Sequence, residues 1–226
     1  MHGKHGESYG AKESGEQGES REQSESREAQ EAKLPEHFES KYKLKEQAQE
    51  YESGNYKYET DKQGRIKKCY GELSLQPESE RNIYAQRKAG GEDRRRGTLE
   101  GEGKDDGGHL IGRRFGGSAE VDNIIAQDSK LNRGEYKRME DDWQKRLEEK
   151  DEVGNSKYKV EVDIRCKYND VKEETQRKDS QRPSDIFVYS KVTDREGNVV
   201  DKKIYHFKNE SDPDTHVRNM NKEEKK

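Results

Sequence analysis

The sequence contains few of the residues that build large hydrophobic cores. Leu, Ile, Val and Phe together number 30 of 226 residues, about 13 %, and chains below about 20 % that also carry a high net charge are typically disordered. The net charge here is only −4, because 46 Lys and Arg residues nearly balance 50 Asp and Glu residues. The composition therefore raises the question of disorder without deciding it.

Other absences exclude whole classes of protein. The sequence has no run of about 18 apolar residues, so no transmembrane helix is expected. The N-terminal residues MHGKHG contain no apolar core, so no ordinary signal peptide is visible. Two cysteines, Cys69 and Cys166, exclude a disulfide framework but leave open two buried thiols or a single bond. The near-neutral charge excludes a chain-wide basic field, so any nucleic-acid binding depends on local patches or a metal.

The large apolar residues are unevenly distributed, since residues 51–209 hold 26 of the 30. This distribution predicts four regions. They are a disordered low-complexity tail over 1–33, a charged linker or helix over 34–52, a folded domain over 53–209 and a charged C-terminal tail over 210–226.

Periodicity within the folded domain predicts an α+β fold with a largely antiparallel sheet. Tyr136, Met139, Trp143 and Leu147 follow a helical spacing and predict a helix over 132–149. Residues 86–108 are rich in glycine and charge and are expected to form a loop. Alternating or short apolar runs predict six strands. Four of them form two hairpins, 56–60 with 65–70 and 186–192 with 199–207. The other two strands are 123–127 and 160–166.

One segment has the residue types of a catalytic centre. Two aspartates and two glycines precede His109, and Arg113 and Arg114 follow it closely. Glycines allow close approach of a backbone or ligand, an oriented histidine can act as a general base, and arginines suit phosphate. A second segment, 122–134, then leads into the predicted helix, where Asn132 lies near the start and by default caps it.

These residues resemble those of the DNA/RNA non-specific endonucleases. The shared pattern is DGGHLIG…FGG over 106–117 followed by LNRG…YK…ME…W over 131–143. The resemblance extends over about residues 53–208 and is strongest to the nuclease-toxin domain of type VII secretion effectors of the EssD-like and LXG types.

The resemblance implies a ββα-metal finger and a site for Mg²⁺ or another divalent cation. It implies that His109 is the general base, that Asn132 ligates the metal, and that Glu140 holds a metal-bound water. Better-known secreted members of the superfamily have Asp-Arg-Gly-His where this chain has Asp106-Gly107-Gly108-His109. The identity of the arginine that contacts the phosphate is therefore undecided. Arg114 is our candidate for a catalytic arginine. The residues expected to bind substrate are Arg87, Arg113, Arg133 and Asp106.

The expected function is Mg²⁺-dependent, non-specific cleavage of phosphodiester bonds in DNA, and in RNA as a further substrate. No motif that reads bases is visible, so contacts should be mainly to the backbone. The resemblance implies an antibacterial toxin that is secreted or delivered into target cells, with a cognate immunity protein and no membrane partner. Without a visible signal peptide, the chain is expected to be cytoplasmic before export.

Two alternatives remain at this level. The first is a non-catalytic module that keeps the nuclease fold and binds nucleic acid or a partner through Arg94-Arg95-Arg96. The second is an HNH-type nuclease, which shares the metal finger but usually adds a histidine on the helix. Residues 130–150 contain no histidine, which disfavours the second alternative.

Overall fold

The computed structural model describes residues 33–77, 80–90, 105–169, 181–210 and 216–220. The low-complexity tail predicted for 1–33 lies outside these residues except for its last position, and the triple arginine at 94–96 lies outside them as well. Within the part of the chain that is described, no helix is long and apolar enough to cross a membrane.

A seven-stranded antiparallel sheet forms the body of the fold. Its strands are β3 (Glu50–Ser53), β4 (Tyr56–Thr60), β5 (Ile66–Leu73), β8 (Tyr158–Lys167), β9 (Asp185–Asp194), β10 (Val199–Lys208) and β11 (His216–Asn219), in the spatial order β11-β10-β9-β8-β5-β4-β3. The two predicted hairpins are present as β4–β5 and β9–β10. Along β8 the buried positions alternate with exposed ones, as the sequence pattern predicted.

Both ends of the domain contain more strand than the sequence predicted. Residues 34–52 were predicted to form a charged linker or helix, but they form β1 (Phe38–Ser40), β2 (Lys43–Leu44) and the start of β3. These strands form because their apolar side chains pack into the core against residues distant in the sequence. Phe38, Leu44 and Tyr51 are each 8 % exposed. Strand β11 likewise lies in the predicted C-terminal tail, where it pairs with β10.

The loop predicted over 86–108 is wrong at both of its described ends. Helix α1 occupies Ile83–Gly90, and strand β6 occupies Asp105–His109. Ala85 and Ala89 are buried on α1. The apolar face of this helix is narrow, so its periodicity is weak in a segment rich in charged residues.

A ββα unit carries the candidate histidine and asparagine. Strand β6 pairs in antiparallel fashion with β7 (Ile124–Asp128), and a continuous helical segment follows. This segment comprises α2 (Ser129–Leu131), a π-helical turn (Asn132–Tyr136) and α3 (Lys137–Glu148). The helix therefore begins before the predicted position. Asp128, rather than Asn132, is the N-cap, since its side chain accepts hydrogen bonds from the backbone N–H groups of Lys130 and Leu131.

The helical segment packs on the large sheet through its apolar stripe. Tyr136, Met139 and Trp143 are at most 2 % exposed, and the Tyr136 ring lies 5.5 Å from the Phe207 ring of β10. Tyr136 also donates a hydrogen bond from its hydroxyl to the carbonyl oxygen of Leu110, 2.8 Å away. The helix is thereby fixed both to the sheet and to the residue that follows His109.

Candidate active site

A cleft of about 510 Å³ opens between the ββα unit and helix α1. Its lining includes His109, Asn132 and the carboxylates of Asp105 and Asp106. Its cationic residues come from three parts of the chain: Arg81, Arg87, Arg113 and Arg133. The cleft therefore combines a titratable base, oxygen donors and a positively charged wall.

His109 lies at the end of β6 and lines the cleft. Its Nε2 is buried and has no hydrogen-bond partner among the described residues. Burial, followed by the charges of Arg113 and Arg81, lowers the pKa of His109 to about 4. The imidazole is therefore neutral at pH 7 and retains a nitrogen that can accept a proton.

Asn132 is oriented by Asp106. The Nδ2 of Asn132 donates to Asp106 Oδ2 over 3.1 Å. The same carboxylate accepts two hydrogen bonds from Arg133, at 2.8 Å from Nε and 2.7 Å from Nη2. Because Asp106 engages the amide nitrogen, the amide oxygen of Asn132 is the end that can face a cation.

The two strands of the ββα unit are held in place by buried polar side chains. Asn123 is fully buried, with its amide donating to the carbonyl oxygens of Ile111 and Ser118 and accepting from the Ile111 N–H. At the other end, Arg182 pairs with Asp105 at 2.7 Å. These contacts fix the segment around His109 at both sides, which is the rigid support a reacting group needs.

Asn209 joins the ββα unit to the large sheet. Its Oδ1 accepts from the backbone N–H of Asp128 at 2.7 Å, and its Nδ2 donates to the carbonyl oxygen of Ala126 at 2.9 Å. Arg182 also donates to the carbonyl oxygen of Asn209. One buried amide therefore bonds to β7 on both sides of Gln127.

The glycines before His109 are required by close packing. A Cβ at Gly107 would lie 2.3 Å from the carbonyl oxygen of Gln86, in the backbone of α1. A Cβ at Gly108 would lie 2.0 Å from Oε1 of the buried Gln127. Helix α1 therefore occupies the space into which a side chain at position 107 would extend, which explains why this chain has no arginine there. The same helix brings Arg87 to the cleft instead.

Arg114 and Glu140 lie outside the residues that line the cleft. Arg114 donates to Asp141 at 2.7 Å and to Gln144 at 2.6 Å, and its Nη2 lies 3.3 Å from Glu140 Oε2. Glu140 also packs against Gly112, where a Cβ would lie 2.5 Å from its Oε1. The structure therefore assigns both residues to a polar network that fastens the loop after His109 to α3. The catalytic role expected of Arg114 and the metal-bound water expected at Glu140 stay predictions.

The pKa values of the two carboxylates of this network shift in opposite directions, although burial acts to raise both. Burial raises the pKa of Glu140 to about 7 despite the attraction of Arg114. In Asp141 the hydrogen bonds from Lys137 and Arg114 outweigh the desolvation, so its pKa lies below the usual range.

The structure brings together most of the site residues that the sequence predicted. His109, Asn132 and Asp106 share one cleft with three of the four candidate arginines. Sequence reasoning missed Arg81, which lies just before α1, and the supporting residues Asn123 and Asn209. No local pattern marks these three residues, because each acts through contacts with distant parts of the chain. The sequence left undecided whether Cys69 and Cys166 form a disulfide bond. In the structure both are free and buried.

The donor set of the cleft fits a small hard cation. The amide oxygen of Asn132 and the Asp106 carboxylate are the oxygen ligands that Mg²⁺ prefers, and Mg²⁺ commonly takes one or two protein ligands with water and phosphate completing its shell. Within the described ranges there is no group of three or more His, Cys, Asp or Glu placed to hold a metal. The donors present fit Mg²⁺ or another hard divalent cation that keeps water and phosphate in its shell.

A family model for DNA/RNA non-specific endonucleases matches residues 45–194. This chain belongs to the DNA/RNA non-specific endonuclease family. The match begins before the predicted domain start at residue 53 and includes strand β3, in agreement with the strands found there. Family membership confirms the nuclease resemblance, and the α+β fold with its mainly antiparallel sheet is the one expected.

Curated relatives include the type VII secretion system protein EssD from Staphylococcus aureus strains USA300 and NCTC 8325. Each is 43 % identical over 108 residues, covering 46 % of this endonuclease chain. The match spans 16 % of the length of each relative. Among solved structures, an extracellular endonuclease aligns over 69 % of this chain and 72 % of its own, with 15 % identity and a TM-score of 0.37.

Proposed function

We propose that this endonuclease domain hydrolyses phosphodiester bonds of DNA, and of RNA as a second substrate, in a Mg²⁺-dependent reaction without sequence specificity. The observation that supports this most strongly is that the neutral His109 lines a cleft with four arginines, while its buried Nε2 has no hydrogen-bond partner among the described residues. The family match and the EssD relatives support the reaction class.

His109 is the proposed general base. A neutral imidazole in the cleft can take the proton of the attacking water as its oxygen bonds to phosphorus. The low pKa keeps this base unprotonated before substrate binds. When a phosphate enters, its negative charge offsets the effect of Arg113 and Arg81, so the pKa of His109 rises toward its usual value and the base becomes stronger.

Asn132 is the proposed metal ligand, oriented by Asp106. When bound, Mg²⁺ would supply charge stabilisation at the phosphate and at the leaving oxygen. Asp106 contributes by holding the amide of Asn132 and the guanidinium of Arg133 in one arrangement. The carboxylate is therefore proposed as a positioning residue for both.

Arg87, Arg113 and Arg133 are the proposed phosphate contacts, joined by Arg81. Guanidinium groups match phosphate oxygens in geometry and keep their charge at all working pH values. They come from α1, from the loop after β6 and from the π-helical turn, so they approach a bound phosphate from different sides. Contacts of this kind bind the backbone and give little sequence specificity.

The proposed biological role is that of an antibacterial toxin domain exported by a type VII route and neutralised by an immunity protein. The support is the 43 % identity over 108 residues to EssD, a type VII secretion system protein.

A nuclease assay on plasmid DNA, single-stranded DNA and RNA tests this proposal. We expect degradation of at least one substrate with Mg²⁺ and none with EDTA. Nucleic-acid binding without degradation at any Mg²⁺ concentration would instead support the non-catalytic binding module.

A further inference from the structure

A second pocket lies on the other side of helix α1 from the cleft. It has a volume of about 350 Å³. Its apolar lining comes from three sheets and from helical segments: Leu44, Ile66, Ala89, Val121, Ile124 and Ile125. Tyr42 and Lys88 also line it. Polar residues such as Gln63 and Gln181 line it as well. A cavity that combines apolar and polar side chains with an aromatic and a cationic neighbour is the kind of site that accepts a nucleobase.

The exposed face of α1 connects the two cavities. Ile83 and Arg87 line the cleft, whereas Lys88 lines the second pocket. Tyr84 lies between them on the helix surface and is 50 % exposed. A helix with its side chains is about 10–12 Å across, so a short stretch of nucleic acid spans this distance.

Aromatic rings and cations are paired along this path. The rings of Tyr84 and Tyr42 lie 4.4 Å apart between centroids. Lys88 Nζ lies 5.6 Å from the Tyr84 ring centre, and Lys41 Nζ lies 5.5 Å from that of Tyr42. Surfaces that bind single-stranded nucleic acid combine stacking rings with cations in this way.

The charges near the second pocket restrict what each part can bind. Lys43 is paired with Glu39 and Glu46, at 2.7 and 3.1 Å, and Arg65 is paired with Asp61. These cations are compensated by carboxylates, so the pocket itself suits an uncharged base rather than a phosphate. The phosphate contacts along the path are assigned to the exposed Arg87 and Lys41.

We propose that this surface, formed by Lys41, Tyr42, Tyr84, Arg87 and Lys88 and here called the α1 track, binds an unpaired stretch of the substrate. It rests on the proposed nuclease function. A single strand leaves the cleft, crosses α1 with a base on Tyr84, and places a further base in the second pocket. Because paired bases hide their faces, the α1 track favours single strands over duplexes.

The test is the affinity of a fluorescein-labelled single-stranded DNA 12-mer for the whole chain, measured in EDTA. Base–aromatic stacking contributes about 1–3 kcal/mol per base, so we expect Tyr84→Ala to weaken binding by roughly 5- to 100-fold. Tyr189→Ala is the matched control, because Tyr189 is 37 % exposed on β9, away from the α1 track. The affinity of this variant for the 12-mer should equal that of the parent. A duplex 12-mer should bind the parent more weakly than the single strand does.

A second variant gives a direct signal. Tyr84→Trp should keep the affinity for the 12-mer, and its added emission should be quenched when the oligonucleotide binds. Unchanged affinity in Tyr84→Ala together with no quenching in Tyr84→Trp would overturn the proposal and leave this face to a protein partner. Adding Mg²⁺ separates the two proposals: Tyr84-dependent binding without cleavage would contradict the nuclease function but not the α1 track.

Discussion

The Nδ2 of Asn132 donates to Asp106 Oδ2 across 3.1 Å, which joins the first strand of the ββα unit to the helical segment that follows it. This bond selects the orientation of the amide and directs its oxygen away from the carboxylate. Arg133 binds the same carboxylate. Asp106 therefore organises a proposed metal ligand and a proposed phosphate contact at once.

Asn132→Ala removes the amide oxygen and should raise the Mg²⁺ concentration needed for half-maximal cleavage by at least about tenfold, since Mg²⁺ depends on so few protein ligands here. A Mg²⁺ titration of cleavage rate measures this. Asn155→Ala, in an exposed turn after α3, is the control and should follow the parent curve. An unchanged titration in Asn132→Ala would remove this residue from the site.

The low pKa of His109 predicts that the cleavage rate falls off only at unusually low pH. The neutral form is the active base and persists down to about pH 4 in the free protein, so kcat/KM should remain high at pH 5.5, where an ordinary histidine is mostly protonated. Because bound phosphate raises the pKa, the acid limb of kcat should lie at higher pH than that of kcat/KM. Stopped assays from pH 4 to 8 measure both limbs. Two coincident limbs near pH 6.5 would show that burial and the arginines do not act on His109.

Two arginines should respond differently to the same substitution. Arg114→Ala leaves the largely buried Glu140 without its partner and should lower the free energy of unfolding by about 3 kcal/mol. Arg87 is exposed on α1, so Arg87→Ala should keep the parent stability while raising KM roughly tenfold through a lost phosphate contact. Urea unfolding and steady-state cleavage measure the two effects. The interpretation fails if Arg87→Ala is the destabilised variant.

Much of this fold is readable from local patterns, because the side chains that decide it recur with regular spacing. The alternation of Val160, Val162 and Ile164 predicted β8, and the helical stripe that includes Trp143 predicted the packed face of the helix. His109 and Asn132 became candidates through the resemblance of residues 106–143 to the endonuclease family, since their spacing alone is a weak signal.

The remaining features depend on contacts between residues far apart in the chain. Tyr51 donates its hydroxyl to the carbonyl oxygen of Asp122, 71 positions away, and no local pattern around residue 51 reveals that bond. Arg113 and Arg114 are neighbours in sequence, yet one faces the cleft and the other binds α3. Only the tertiary structure separates their roles.

Gly107 tests the close packing of α1 on β6. Gly107→Ala places a methyl group 2.3 Å from the carbonyl oxygen of Gln86, so either α1 or the strand must move. We expect a loss of about 1–3 kcal/mol in unfolding free energy and reduced cleavage. Gly134→Ala is the control, since nothing lies within 4 Å of its added Cβ, and removing a helical glycine should stabilise by up to about 1 kcal/mol. Equal stability of the two variants would contradict the packing described for α1.

The most direct test of the nuclease site is plasmid cleavage by His109→Ala with saturating Mg²⁺. Removing a general base typically slows a reaction by about 10²–10⁴-fold, so the variant should nick supercoiled plasmid at least about 100-fold more slowly than the parent. Its affinity for DNA and its unfolding midpoint should stay close to those of the parent. His206→Ala removes an imidazole on β10 that contacts Asp185 of β9, and this variant should cleave at the parent rate. Equal nicking rates for His109→Ala and the parent would contradict the central claim.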